Sequence, residues 1–362
     1  MKNVAVLGGG KIGALISWLL AHSGDYQVRV GDLMPESLRH FERELSHPNL
    51  QAHALDVKDR PALARFLTQG RVEAVMSALP FYCNRQVAEA AGELKLHYFD
   101  LTEDVEVARA VRKISERAST AFVPQCGLAP GFISIAASDI MCRFEELDTV
   151  KLRVGALPQN PSNGLKYSLT WSTNGLINQY ANPCQAIENG VPVTLQPLEG
   201  YENVELDGSA YEAFNTSGGL GTLAETYAGK VKGMNYKTLR YPGHCDRMRF
   251  LMNDLELRRD RDTLARILEN AVPRTLQDVV LVYVSVTGKR GGAFWEESFV
   301  KKLYPQSIEN VQWTAIQVTT AAAVCAVVDL VLHGKAPARG FVTQESIPLS
   351  SFLENRFGQY YR

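Results

Sequence analysis

Gly8, Gly10 and Gly13 stand at the spacing G-x-G-x-x-G, between the apolar run Val4-Ala5-Val6-Leu7 and a segment, Ile12 to Ala21, with helical apolar spacing. Glycine is entropically costly to fix, so three at one turn imply a steric need. Gly8 permits the tight turn, Gly10 lets the backbone approach a pyrophosphate, and Gly13 lets the helix pack closely on the strand. The helix N-terminus, at Lys11 and Ile12, then offers N–H groups and partial positive charge to the phosphates. A second strand, Gln27 to Gly31, ends at Asp32, 19 residues beyond Gly13. Its carboxylate suits the adenosine ribose hydroxyls and repels a 2′-phosphate. Leu33 and Met34 follow, with no adjacent Arg, so the expected cofactor is NAD, with NADP less favoured. A glycine-rich turn of another α/β protein is the plainer reading, but it does not require strand, helix and acid in register.

A second group of reactive side chains lies in Tyr236-Lys-Thr-Leu-Arg-Tyr-Pro-Gly-His244. On a strand, Lys237 and Leu239 share one face while Thr238 and Arg240 share the other, and His244 follows in the exit turn. A solvated edge strand with surface charges is the alternative. Thr216 and Ser217, ahead of Gly218-Gly219, form a small polar turn. Lys166 could act as a base if buried, although most lysines are solvated.

The elements that hold these residues follow a strand–helix rhythm. Residues 52–57 read as a third strand ending at Asp56, where Asp56 and Val57 either meet an adenine or, for Asp56, cap the next helix from Arg60 to about Gln69. Residues 74–80 read as a buried strand that carries Ala78, Leu79 and Pro80 under the nicotinamide half. Two more strands fall within 97–104 and 120–131. Such alternation predicts a Rossmann-type, doubly wound parallel sheet. Ligands collect at the carboxyl ends of its strands, which makes Tyr82, Asp100, Thr102 and Gly127 candidates for contact.

From about residue 148 the pattern changes to alternating strands separated by turn signals such as Asn189-Gly190 and Asp207-Gly208. Residues 149–158, 165–172, 191–198, 236–244 and 279–290 read as strands. Near 314 the chain returns to helix. The expected architecture is α/β: a nucleotide domain over 1–128 completed by 314–362, and an inserted α+β domain over 129–313 with a mostly antiparallel sheet.

The whole composition narrows the classes. The 362 residues are 46% hydrophobic and 21% charged, with a formal net charge of −1, which supplies no basic field for nucleic acid or an anionic membrane. The six cysteines are scattered, with no C-x-x-C pair and no metal-ligand spacing, as suits reduced thiols in a cytoplasmic protein. Glycines interrupt the N-terminal apolar run, against a signal peptide. The late apolar stretch 318–332 is shorter than a membrane span and contains Asp329. A soluble protein without membrane or metal is expected.

The segments "VLGGGKIG", "YFDLTED", "GLAPGF", "EAFNTSGGLGTL" and "YKTLRYPGH" resemble the saccharopine dehydrogenase-like family, and within it the lysine 6-dehydrogenase branch. Saccharopine dehydrogenases proper tend to carry an acid in the turn where Ala129 stands here, which implies the lysine-oxidising branch. The resemblance implies NAD-dependent oxidation of an amino-acid carbon–nitrogen bond. It makes Arg240 the grip for a substrate carboxylate and His244 the group for proton transfer or a polar contact, with Lys237 and Asp100 as further catalytic candidates. Tyr82, Gly127, Lys166, Thr216 and Ser217 become substrate contacts. L-Lysine at its ε-amine leads as the substrate. A saccharopine- or opine-type reductase is the alternative, with Lys166 or Lys237 as the second cation, and a non-catalytic NAD-binding regulator is a further one. A homodimer or larger homo-oligomer is implied.

Overall fold

All 362 residues are described in the computed structural model. The chain divides into two units, Met1–Phe132 with Thr319–Arg362, and Ile133–Val318. The sequence expectation had set these boundaries at 128/129 and 313/314.

In the first unit, apolar runs form β1 (Lys2–Leu7), β2 (Tyr26–Asp32), β3 (Leu50–Ala54), β4 (Ala74–Ser77), β5 (His97–Asp100) and β6 (Ala121–Val123). Between them lie α1 (Lys11–His22), α2 (Pro35–Arg43), α3 (Arg60–Gln69), α4 (Phe81–Glu93) and α5 (Val105–Ser115). The strands are all parallel in the order β3-β2-β1-β4-β5-β6, and Gly340–Phe341 adds a short strand beside β6. Strands buried on both faces need near-continuous apolar runs, which is why Val4 to Leu7 and Ala74 to Met76 are fully covered. The winding direction reverses between β1 and β4, and that switch point is where such sheets bind ligands.

Two local expectations are corrected here. β3 ends at Ala54, short of Asp56, and Leu55 N donates to Asp32 O at 3.0 Å. Asp56 then turns the chain by accepting from Lys58 N at 2.9 Å, and Asp59, not Asp56, caps α3 by accepting from Ala62 N at 2.9 Å.

The second unit contains α6 (Phe132–Met141, from its second residue), β7 (Glu146–Pro158), α7 (Thr173–Ala181), β8 (Cys184–Glu188), β9 (Val191–Leu195), β10 (Glu202–Leu206) and β11 (Ser209–Asn215). It continues with α8 (Leu223–Thr226), β12 (Val231–Arg240), α9 (His244–Arg249), α10 (Arg261–Ala271), β13 (Asp278–Arg290) and β14 (Ala293–Leu303). The sheet order is β10-β11-β12-β7-β13-β14, with the β8–β9 hairpin joined to β12; every pairing is antiparallel except β12 with β7. Asn189-Gly190 and Asp207-Gly208 each have positive φ at both residues, the backbone a two-residue hairpin turn requires.

Residues 165–172 are not a strand. Tyr167 and Leu169 are buried among Leu176, Tyr180, Phe214 and Met248, so the apolar alternation reflects packing without a ladder. The expectation of a stretch too short for a membrane is also corrected. α11 (Ala315–Leu332) has 18 residues and a mean hydropathy of 2.0, enough by length and composition to cross a membrane, and 78% of it is buried in the protein. The buried Asp278 carboxylate holds its start, accepting from Ala315 N at 2.6 Å and Ile316 N at 3.0 Å.

Candidate functional site

The glycine turn in the first unit is shaped for a dinucleotide. Gly8 has φ +95°, and a Cβ there would stand 2.8 Å from Ala78 O. A Cβ on Gly13 would stand 1.8 Å from Gly8 O, so helix and turn touch backbone to backbone. At Gly10 a Cβ would meet nothing within 4 Å. The turn is therefore tight where the protein packs on itself and open at the N-terminus of α1, which has no side-chain cap. That combination fits a pyrophosphate.

Asp32 is buried, with Oδ2 accepting from Gly9 N at 2.5 Å and Oδ1 from Met34 N at 2.6 Å. A carboxylate has about four lone-pair sites, so both oxygens remain able to accept ribose hydroxyls. Ala78 and Leu79 lie against Gly8, and Pro80 opens α4. Val57 O accepts from Gln86 Nε2, while Asp56 is exposed. Tyr82 is exposed in the first turn of α4. The Gly127 carbonyl accepts from Phe132 N at 2.9 Å and closes the turn around Ala129.

Asp100 does not stand free as a catalytic acid. It is fully buried and accepts from Tyr98 Oη at 2.7 Å, Thr102 N at 2.9 Å and Gln125 N at 3.0 Å. Burial pushes its carboxyl upward against these three donors. Its place is structural, joining the ends of β5 and β6. Thr102 is buried too, and its hydroxyl accepts from Asp104 N at 3.2 Å.

In the second unit the structure assembles a chain around Arg240. Its Nε donates to Tyr180 Oη at 2.9 Å and its Nη1 to Leu239 O at 2.8 Å. The guanidinium also lies 5.0 Å from the Tyr167 ring centroid, a cation–π contact. Tyr180 Oη meets His244 Nε2 at 3.0 Å, and His244 Nδ1 meets Leu165 O at 2.7 Å. A carbonyl only accepts, so Nδ1 carries the proton and Nε2 accepts from Tyr180. Glu212, opposite Arg240 across the β11–β12 ladder, accepts from Gly243 N at 2.7 Å and Cys245 N at 2.5 Å, and so fixes the turn that presents His244.

This arrangement corrects the role expected of His244. Burial, with the Arg240 charge second, lowers its pKa to about 3, and both ring nitrogens are occupied. It is a neutral positioning residue. Lys237 projects from the opposite face of β12, where its Nζ meets Glu202 Oε2 at 3.1 Å and Gly200 O at 2.5 Å. Lys166 Nζ donates to Pro242 O at 3.0 Å, and Ser217 Oγ donates to Pro183 O at 2.8 Å, so neither stands ready for a ligand. Thr216 differs. It is buried with an unpartnered Oγ1, and β11 would run it onto the face that Arg240 shares. Sequence reading missed Tyr180, Tyr167 and Glu212. Each reaches the site across the fold; Glu212 opens the quoted segment EAFNTSGGLGTL and Tyr167 adjoins Lys166, so the signal lay beside them, whereas nothing around Tyr180 marks it.

Arg240 is 3% exposed and forms no ion pair with any carboxylate of the protein. Burial works against its charge, but the Tyr180 and Tyr167 hydroxyls hold its pKa above the ordinary value. No group of three or more His, Cys, Asp or Glu is placed to hold a metal ion. A dinucleotide cradle in one unit and a buried cation lacking an anion in the other set the terms for comparison.

The profile of the saccharopine dehydrogenase C-terminal domain matches residues 127–356, and that of the saccharopine dehydrogenase NADP binding domain matches 4–123. The chain belongs to the saccharopine dehydrogenase family. It is thus a member of a family of NAD(P)-binding oxidoreductases acting on amino acids. Saccharopine dehydrogenase (L-Glu forming) from Saccharomyces cerevisiae has the same fold, with a TM-score of 0.77 at 17% identity over 100% of this chain and 96% of that one. The mitochondrial alpha-aminoadipic semialdehyde synthase of Bos taurus is 21% identical over 335 residues, covering 87% of this chain and 35% of the relative. That of Mus musculus is 22% identical over 223 residues, 57% of this chain and 24% of the relative. The chain therefore spans about a third or less of the length of these curated relatives.

Proposed function

We propose that this chain is an NAD-dependent dehydrogenase that oxidises the ε-amine of L-lysine. Arg240 carries the reading. A buried guanidinium whose hydrogen-bond and ring partners are a hydroxyl, a carbonyl and aromatic faces, with the neighbouring Glu212 carboxylate taken up by Gly243 N and Cys245 N, is costly until an anion joins it. A substrate carboxylate meets that need in a two-pronged contact. Tyr180 and His244 hold the fork in place beforehand, so less order is lost on binding.

NAD in the glycine cradle supplies the hydride acceptor. The amine must be neutral before hydride leaves its carbon, so a proton is lost first. Hydride loss leaves an iminium on the substrate; water adds to its carbon, ammonia leaves, and an aldehyde results. His244 takes no part in that proton's path, since it is buried and bonded at both nitrogens.

Lysine is favoured over saccharopine because a secondary amine with a second carboxylated arm needs a second cation. The two candidates are engaged elsewhere: Lys237 with Glu202, Lys166 with Pro242 O. NAD is favoured over NADP by the Asp32 carboxylate, although the matching profile is named for NADP. Six unpaired cysteines support a reducing compartment such as the cytoplasm.

The test is reduction of NAD by the purified chain with a panel of free amino acids. Lysine is expected to give the reduced cofactor, and Arg240→Ala to lower kcat/KM roughly 100-fold or more, as for loss of one side of a buried charged contact. No reduction with any free amino acid would sink the lysine reading. Consumption of NADH with an amino acid and an oxo acid would then favour the saccharopine-type reaction.

A further inference from the structure

Gln125 stands just beyond the carboxyl end of β6, and its backbone has φ +65°. A left-handed conformation costs energy for a residue with a Cβ and is ordinarily left to glycine or asparagine. Of the non-glycine residues with positive φ, Gln125 and Leu198 alone are buried. Leu198 fills a core with Tyr180, Phe214 and Cys245. Gln125 has no such role. It is 4% exposed, its carboxamide forms no hydrogen bond within the protein, and neither amide atom is sealed from solvent.

The backbone around it is held from several sides. Asp100 Oδ1 accepts from Gln125 N at 3.0 Å, and Asp100 O accepts from Cys126 N at 2.8 Å. Gln344, on the segment that returns to this unit, donates through Nε2 to Pro124 O at 3.0 Å and to Cys126 Sγ at 3.3 Å. Cys126 Sγ donates in turn to Val123 O at 2.9 Å. A fully buried carboxylate and a buried amide thus fix three successive residues. The one polar side chain among them left without a partner is that of Gln125. Strain held in this way is found where a side chain is presented to a ligand.

β6 lies three strands from β1 in the order β1-β4-β5-β6, about 14 Å at the ordinary strand spacing. A dinucleotide whose pyrophosphate rests on the glycine turn sends its nicotinamide half along the carboxyl ends of β4 and β5, towards Gln125. We infer that the Gln125 carboxamide hydrogen-bonds the carboxamide of the nicotinamide ring and so fixes the ring's rotation about its glycosidic bond. This contact rests on the nucleotide cofactor of the proposed function and needs no particular substrate. The two amides are complementary, since each offers N–H donors and a carbonyl acceptor, and neither changes protonation when the ring gains a hydride. A substrate ammonium suits Gln125 less well. A carbonyl accepting from it would hold the amine in the protonated form, which cannot yield hydride.

Calorimetric titration of the full chain with NAD and with ADP-ribose, which lacks nicotinamide, tests the contact in wild type and in Gln125→Gly. Glycine adopts a φ of this sign without strain, so the variant loses the side chain and keeps the turn. Its ligand-free melting midpoint is expected to match wild type. Its dissociation constant for NAD is expected to rise about 5- to 10-fold, while that for ADP-ribose stays unchanged. Equal weakening of both ligands, or a steep fall in the ligand-free melt, would assign Gln125 to shaping the turn and overturn the inference. Unchanged affinity for NAD would overturn it too. A wild type that binds neither ligand would remove the cofactor reading itself, and this contact with it.

Discussion

At the scale of single residues, Arg240 is set by side chains that no pattern near it reveals. The strand alternation in residues 236–240 separated Arg240 from Lys237 correctly in the sequence, because facing follows from period alone. What each face meets was not legible. Lys237 faces Glu202 and Arg240 faces Tyr180, partners that lie 35 and 60 positions away. His244 was read from its type, yet burial sets its chemistry. Its pKa lies near 3 in the fold, against about 6.5 in an unfolded chain. Between those values the unfolded chain binds the extra proton, so stability rises with pH. The contribution is complete above about pH 6.5 and is lost progressively as pH falls towards 3. The groups around the ring are Arg240, Tyr180, Tyr167 and Arg247. The Glu212 carboxylate beside this turn is taken up by Gly243 N and Cys245 N, while the two cations, Arg240 and Arg247, oppose an imidazolium charge. Urea unfolding at pH 7 and pH 4.5 should show a larger loss in wild type than in His244→Gln, with a difference on the order of 2 kcal/mol. Equal losses in the two proteins would show that His244 titrates normally.

At the scale of elements, the first unit was readable because β1, β2, β4 and β5 are largely buried apolar runs followed by a helical period, and both signals are local; the edge strand β3, LQAHA, is mostly uncovered. The second unit was harder. Residues 165–172 alternate like a strand, yet their Tyr167 and Leu169 fill a core against α7 and α10, and their backbone bonds go elsewhere, Leu169 N to Pro273 O among them. Alternation reports one-sided burial, and a sheet is only one way to obtain it. Glu212 shows how an element depends on a residue outside it. α9 has six residues, too few to be stable by its own hydrogen bonds, and its first turn is closed by the buried Glu212 carboxylate. Glu212→Gln retains one acceptor and brings an N–H₂ group towards a backbone donor. It should cost about 1–3 kcal/mol of stability. Because the turn it holds carries His244, and His244 holds Tyr180 against Arg240, KM for the amino acid should rise several-fold while the dissociation constant for NAD stays at the wild-type value. Titration calorimetry of the nucleotide beside steady-state kinetics separates the two. A weakened nucleotide site would place Glu212 in a general structural role.

At the scale of the whole molecule, the chain leaves the nucleotide unit after Phe132 and re-enters it at Thr319, so that unit is built from two distant segments. A few side chains add to its closure, beside the pairing of Gly340–Phe341 with β6 and the burial of α11. Asp329 on α11 accepts from Tyr26 Oη at 2.6 Å, Asn355 Nδ2 at 2.7 Å and Arg356 Nη2 at 2.8 Å, and Arg356 Nη1 also reaches Asp25 at 2.6 Å. Tyr26 and Asp25 sit at the start of β2, so this cluster fastens the returning segment to the sheet that carries Asp32. Burial alone would raise the Asp329 carboxyl, but its donors outweigh burial and hold it below the ordinary carboxylate range. Arg356 is partly exposed, and solvent screening reduces what its ion pairs contribute. Arg356→Ala should therefore cost about 1–2 kcal/mol, since Asp329 keeps two of its donors. For a unit of this size that corresponds to a fall of roughly 2–8 °C in the midpoint of its melting. NAD at about 100 times its dissociation constant adds about 2.7 kcal/mol to the folded unit and should more than restore the loss. L-Lysine alone should not, because its proposed anchor, Arg240, belongs to the second unit. Thermal melts of wild type and variant with no ligand, with NAD and with lysine read all three effects. An unshifted ligand-free melt in Arg356→Ala would show that the returning segment is held without the Arg356 ion pairs, and rescue by lysine without NAD would place the carboxylate grip in the first unit.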